Sequence, residues 1–200
     1  MPLSVQEAMD MRVHYSGYFL NLVAAIDLIR DTTTLPSGNF KSLLYSRLVF
    51  DGFQDGEANY FYIRELRNAV VHRGLDITSD QHFDGDFPMI LAPPEVQNQA
   101  RTKKFATFGQ YLLHVIEKCE SVVGSVMLDC LKGAGIFDAT IDTVAAAAEY
   151  RAAIQSSSSM PEHVKANLLA SEFKPEWAEA AHDAEMMKLR AALSPCSTTP

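Results

Sequence analysis

Apolar and polar positions follow a helical period over most of this chain. Before residue 135, apolar residues recur at three-to-four spacing in four stretches. Ser4 and Glu7 have the spacing of a capping box at the start of the first stretch, while Gly74 and Gly133 mark helix ends. The predicted helices cover about residues 4–30, from Ser37 or Asn39 to Asp51, from Asp55 to Gly74, and from Thr102 to Leu131.

The helical period is lost between Leu75 and Gln99. Apolar segments at 75–78 and 87–91 flank a polar turn containing Asp84-Gly85, which predicts a small β-hairpin or ordered loop after the third helix. Alanine-rich and proline-initiated segments after residue 135 predict further helices before a polar tail. We therefore expect an all-α protein, with an up-and-down four-helix bundle in residues 1–135 and a C-terminal helical appendage in residues 136–200.

Composition narrows the class of protein. The 200 residues are 48% hydrophobic and 10% aromatic, which suffices for a substantial core. The three cysteines form no metal-binding or disulfide pattern, so we expect no metal site and a cytoplasmic location. No stretch has the uninterrupted apolar length of a membrane span, and we expect no membrane partner. The net charge of −8 argues against a protein that coats nucleic acid, although a local basic cleft is compatible with it.

The end of the third helix has a polar face. Taking about 100° per residue from Arg64, Arg67 lies near −60°, Asn68 near +40° and His72 near +80°. Val71 lies near −20°, in the middle of these polar groups, where an apolar side chain gains little unless something covers it. A second copy of the chain is a natural cover. The apolar side of the same helix consists of Ile63, Leu66, Ala69 and Val70.

The run Arg67-Asn68-Ala-Val-Val-His72 resembles the R-x4-to-6-H signature of HEPN domains. The resemblance implies a helical bundle that forms a homodimer, in which two Arg/His pairs meet in one cleft and cut RNA without a metal or other cofactor. It implies His72 as the proton-transfer group, Arg67 as the phosphate binder and Asn68 as an orienting hydrogen-bond partner. Position alone adds Arg64 and Arg73 as contacts to the RNA backbone.

The two principal residue types suit this chemistry. The unperturbed pKa of histidine lies near 6.5, so His72 could transfer protons near neutral pH, and the planar fork of Arg67 could bind a phosphate bidentately. On one ideal helix the two side chains point about 140° apart. Convergence on one phosphate therefore requires either a second copy or a helix end that unwinds at His72.

These observations leave two functions open. The first is a metal-independent, homodimeric endoribonuclease, which the family resemblance associates with phage defence or with toxin systems whose partner is an antitoxin. The alternative is a non-catalytic helical interaction module that binds a protein partner or a nucleotide. In a purely structural interpretation, Arg67 pairs with an acid such as Glu65 or one on a neighbouring helix, and His72 caps the helix carboxyl end.

Overall fold

The chain forms two compact units. The computed structural model describes residues 4–31, 40–79, 81–84 and 87–194. One unit contains the residues up to Ala134, and the other comprises Gly135–Leu193. The first unit contains α1 (Val5–Asp31), α2 (Phe40–Arg47), α3 (Gly56–His72), β1 (Gln81–Asp84), β2 (Phe87–Ile90), β3 (Glu95–Gln97), β4 (Lys104–Ala106) and α4 (Leu112–Gly133).

Helix packing in the first unit buries the apolar side of α3 that was expected from the sequence. Helix α1 packs against α3, and α2 packs against both α3 and α4. On α3, Ile63 and Leu66 are fully buried, which confirms the predicted apolar side of this helix. The capping box at Ser4 is also confirmed, because the Glu7 carboxylate accepts from the Ser4 backbone N at 2.8 Å. The predicted helical character of the chain is thus confirmed.

The start of α3 is fixed by a close approach of α2. Asp55 caps the helix, and its side chain accepts from the Ala58 backbone N at 2.9 Å. Gly56 lies so close to α2 that a Cβ atom there would stand 1.9 Å from the Tyr45 backbone O. The buried Asn59 side chain donates to the carbonyl oxygens of Leu48 at 2.8 Å and of Phe53 at 2.9 Å. These contacts form the corner between α2 and α3, which fixes where the helix that carries the candidate site begins.

Two short antiparallel hairpins separate α3 from α4. Strand β1 pairs with β2, which confirms the predicted hairpin, but its first strand is residues 81–84 rather than 75–78. The reason is local: the Asp76 side chain accepts from the Thr78 backbone N at 3.0 Å and turns the chain there. The predicted turn residue Gly85 and the predicted start of the second helix lie outside the described residues.

The second hairpin, β3–β4, corrects the prediction of a helix starting at Thr102. Residues 104–106 are a strand, and the helix begins only at Leu112. Phe105 and Phe108 have helical spacing in the sequence, but residues 95–97 supply a partner strand for 104–106. That cross-strand pairing overrides the helical spacing of the two phenylalanines. Candidate binding residues on this hairpin were therefore missed from the sequence.

The second unit is helical, as predicted for the appendage. A short 3₁₀ turn, Ile136–Asp138, precedes α5 (Thr143–Ser156), α6 (Glu162–Ala170) and α7 (Pro175–Leu193). Asp142 caps α5 through bonds to two backbone N atoms. No helix in the described ranges combines the length and apolar character needed to cross a membrane. The predicted polar tail lies outside these ranges from residue 195 onwards.

Candidate functional site

Helix α3 carries the Arg/His motif without a break. The helix includes His72 and ends directly after it, with the Arg73 and Leu75 backbone N atoms both donating to the Ala69 carbonyl at 3.1 and 3.0 Å. Gly74 has φ +68°, as predicted for a left-handed helix stop. Because α3 does not unwind at His72, Arg67 and His72 remain about 140° apart and about 7.5 Å apart along the axis.

Arg67 faces α1 rather than open solvent. Its side chain is 19% exposed, and one terminal nitrogen lies 3.9 Å from a carboxylate oxygen of Asp27. That distance is an ion pair without a hydrogen bond. The Arg67 Nε atom is buried and has no hydrogen-bond partner within the described part of the chain. The guanidinium is therefore positioned by charge and packing, and not all of its donors are engaged.

Asp27 is the centre of a polar cluster between α1 and α3. It pairs with Arg30 at 2.9 Å, and the Tyr60 hydroxyl lies 3.5 Å from the same carboxylate. Burial, followed by the charge of Asp27, raises the pKa of Tyr60, while Arg30 and Arg64 oppose this shift. The hydroxyl of Tyr60 thus stays protonated at neutral pH and can donate a hydrogen bond.

His72 and Val71 lie on the surface at the end of α3. The His72 side chain is exposed, and no hydrogen bond or ion pair holds its ring within the described ranges. Val71 is 41% exposed, so the described residues cover the apolar side chain predicted to need a cover only in part. The structure therefore leaves the imidazole available to a ligand or to a second chain.

Arg73 and Asn68 both contact Glu65, a carboxylate that is only 8% exposed. The terminal nitrogens of Arg73 donate to the carbonyl oxygens of Gln97 and Glu65, each at 2.8 Å. Asn68 Nδ2 donates to Glu65 Oε1 at 3.3 Å. Glu65 Oε2 lies 3.4 Å from Arg73 but accepts no hydrogen bond, so the two groups interact through charge alone. Arg73 consequently links α3 to β3.

Arg64 is half-buried on the side of α3 that faces two tyrosines. Its positive charge lowers the pKa values of Tyr45 and Tyr60, against the larger raising effect of burial on both. The balance for Tyr45 is a pKa raised to about 12. The structure therefore places Arg64 beside the same polar cluster as Arg67.

The arrangement has a member that the motif did not reveal. In the purely structural interpretation Arg67 pairs with an acid on a neighbouring helix, and Asp27 is that acid. The sequence signal for Asp27 was that it interrupts an apolar stretch of α1.

Within the described ranges, no group of three or more His, Cys, Asp or Glu residues could hold a metal ion. Comparisons of the chain with protein-family models, with curated proteins and with solved structures found no match.

Proposed function

We propose that this protein is a metal-independent endoribonuclease that works as a homodimer of HEPN-type four-helix bundles. The observation that carries the proposal is the state of the two motif residues on α3. His72 is exposed and without a partner in the described residues, while Arg67 is held five residues earlier beside Asp27. An accessible proton-transfer group and a positioned cation are what metal-free RNA cleavage requires.

The reaction divides between these two side chains. The neutral imidazole of His72 accepts the proton of the RNA 2′-hydroxyl as that oxygen attacks the adjacent phosphorus. The P–O bond to the 5′-oxygen of the next nucleotide breaks, and that oxygen takes a proton from an imidazolium, which leaves a 2′,3′-cyclic phosphate. Arg67 donates to the phosphoryl oxygens while negative charge builds on them. Asn68 keeps its carbonyl oxygen for orienting His72 or the substrate, since its amide nitrogen donates to Glu65.

A second copy completes the site. Within one chain Arg67 is directed towards α1, whereas His72 is exposed at the end of α3. A two-fold axis close to Val71 would cover this apolar side chain and bring His72 of one copy towards Arg67 of the other. The ion pair with Asp27 and the packing of Arg67 restrict the guanidinium before RNA binds, so less side-chain entropy is lost when the phosphate binds.

The test is cleavage of a mixed-sequence fluorescent RNA in excess EDTA by the wild type and by His72→Ala and Arg67→Ala. We expect cleavage by the wild type and a loss of at least about 100-fold in each variant, because proton transfer and phosphate binding contribute 10²-fold or more each. The matched control is His163→Ala, which removes an exposed histidine of α6.

Light scattering on the same samples reports the oligomeric state. We expect a dimer for all four proteins and a monomer with little activity for Val71→Asp, because a buried unpaired carboxylate opposes association. A wild type that is dimeric but leaves RNA intact under all these conditions would refute the ribonuclease.

The non-catalytic interaction module remains the second candidate because of one surface of α1. Large apolar side chains on this helix stay exposed within the first unit and recur at helical spacing: Val5, Met9, Val13, Leu20 and Leu28. Exposed apolar side chains that recur along one helix are typical of protein-binding sites. If wild type does not cut RNA, while Val13→Asp abolishes binding to a protein partner recovered with the wild type, the module is the function.

A further inference from the structure

One cavity, of about 460 Å³, lies near α4. A second, of about 440 Å³, lies near the end of α3, and both are open to ligands. The second is bounded by Ala69, Arg73 and Leu75 on one side and by β3 and the loop of the β3–β4 hairpin on the other. Its volume falls within the range of about 300–1,000 Å³ that small-molecule sites occupy. Arg73 directly follows His72 in the chain, so this cavity begins beside the candidate catalytic helix end.

Arg101 is the cation of this cavity for which the described residues supply no ion-pair partner. Arg73 is matched by the carboxylate of Glu65, and Lys104 is matched by that of Glu95. Arg101 is exposed and has no hydrogen bond or ion pair from its side chain among the described residues. The charged residues of the cavity lining are thus Arg73, Arg101 and Glu95, and the two arginines outnumber the carboxylate in a chain whose net charge is −8.

The hairpin loop holds Arg101 in an unusual backbone conformation. Its φ is +55°, and it is the one non-glycine residue with positive φ in the described ranges. The Arg101 backbone N donates to the Asn98 carbonyl at 2.9 Å, and the Asn98 side chain accepts from the Thr102 and Lys103 backbone N atoms at 2.9 and 3.0 Å. A left-handed arginine costs free energy that glycine at the same place would avoid. The loop therefore holds the backbone of Arg101 in a defined conformation at an energetic cost.

We propose that this cavity binds a phosphodiester of the RNA substrate, with Arg101 as the phosphate-binding residue. The choice of RNA rests on the proposed ribonuclease function. Arg101 supplies a guanidinium fork for the phosphate oxygens, and the exposed Gln99 amide adjoins it in the same wall. Arg73 is a positioning residue here, since its terminal nitrogens hold β3 against α3 through two carbonyl oxygens. RNA bound at Arg101 would run past the end of α3 towards His72.

The experiment measures binding separately from cleavage. The probe is a short, fluorescently labelled 2′-O-methyl RNA, which lacks the attacking hydroxyl and so cannot be cut, and anisotropy with the full chain gives Kd. We expect Arg101→Gln and Arg101→Gly to weaken binding about tenfold or more, and Arg101→Lys to weaken it less. Arg101→Gln should also reduce the slope of log K against log salt by about 0.7, the value for one phosphate of a single strand.

Two variants keep the result interpretable. Glycine accepts positive φ without strain, so Arg101→Gly retains the loop while it removes the cation. Arg151→Gln removes an exposed arginine of α5 and should bind like the wild type. Unchanged affinity in Arg101→Gly, or no binding of the probe by the wild type, would overturn the proposal.

The two proposals fail in different ways. Binding that depends on Arg101 without any cleavage of ordinary RNA would refute the ribonuclease and support this phosphodiester site. Cleavage that persists with unchanged affinity in Arg101→Gly would refute the site and support the ribonuclease. His72→Ala should abolish cleavage of ordinary RNA, whereas Arg101→Gly should weaken binding of the 2′-O-methyl probe.

Discussion

Gly56→Ala tests the corner that positions the candidate catalytic helix. The added Cβ would meet the Tyr45 carbonyl oxygen at 1.9 Å, its carbon at 2.8 Å and the Leu48 carbonyl oxygen at 3.2 Å. All three atoms belong to backbone, so no side chain can rotate away. Helices α2 and α3 must therefore separate by about 1 Å or more. Overpacking of this kind lowers the free energy of unfolding by about 1–3 kcal/mol.

That separation also disturbs the hydrogen bonds of Asn59. Its amide donates to the Leu48 carbonyl at 2.8 Å, and loss of one such bond costs about 1 kcal/mol. We expect Gly56→Ala to lower the free energy of unfolding by about 2–4 kcal/mol, which for a chain of this size lowers the melting temperature by about 4–16 °C. Thermal unfolding followed by far-UV circular dichroism measures the change.

Gly17→Ala is the matched control, because a Cβ at Gly17 in the middle of α1 would meet no atom within 4 Å. Alanine in place of glycine inside a helix should raise the free energy of unfolding by about 0.5–1 kcal/mol. A Gly56→Ala protein that melts within a degree of the wild type would show that the close approach of α2 and α3 is wrong.

Three further results are expected. Asn59→Ala should lower the free energy of unfolding by about 2–4 kcal/mol in urea denaturation, since it removes one buried and one part-buried hydrogen bond to backbone carbonyl oxygens, whereas Asn21→Ala on the surface of α1 should change it little. Tyr45 has a pKa of about 12 in the folded state, above its ordinary value near 10, so the folded protein keeps a proton that the unfolded chain loses. Stability should therefore fall as the pH rises from about 10 to about 12, and Tyr45→Phe should lessen that fall in urea titrations. Burial raises the pKa of the Cys119 thiol, so this thiol should react with a thiol reagent at pH 8 only as fast as the protein opens. The slow phase of the reaction that belongs to Cys119 should be lost in a Cys119→Ala variant.

The helices before residue 135 could be predicted from the sequence because apolar residues recur in them at three-to-four spacing, and the later ones from alanine-rich and proline-initiated segments. The start and stop of α3 were also readable, from Asp55 and from Gly74, since capping and left-handed turns depend on local residue types. The β3–β4 hairpin was not readable. Lys104–Ala106 becomes a strand only because Glu95–Gln97 lies alongside it, and a pairing of this kind leaves little trace in either segment alone.

Some residues of the candidate site could likewise be predicted from the sequence, and others could not. Arg67 and His72 were identified from the motif, whereas the ion pair with Asp27 joins residues of two helices and depends on how α1 packs against α3. Arg73 was predicted to contact RNA from its position, yet its terminal nitrogens contact protein carbonyl oxygens. Nothing in the sequence points to Arg101, because this residue lines the cavity only through the fold of the β3–β4 hairpin.

The hydrogen bonds of Asn59 have a consequence for the order of folding. They join α3 to residues 6 and 11 positions earlier, whereas the ion pair between Arg12 and Asp76 spans 64 positions. Closing a short loop costs less chain entropy than closing a long one, and local contacts form sooner. The corner between α2 and α3 should thus form early, while α1 docks late and brings Asp27 to Arg67. The guanidinium then acquires its acidic neighbour only in a chain that has almost finished folding.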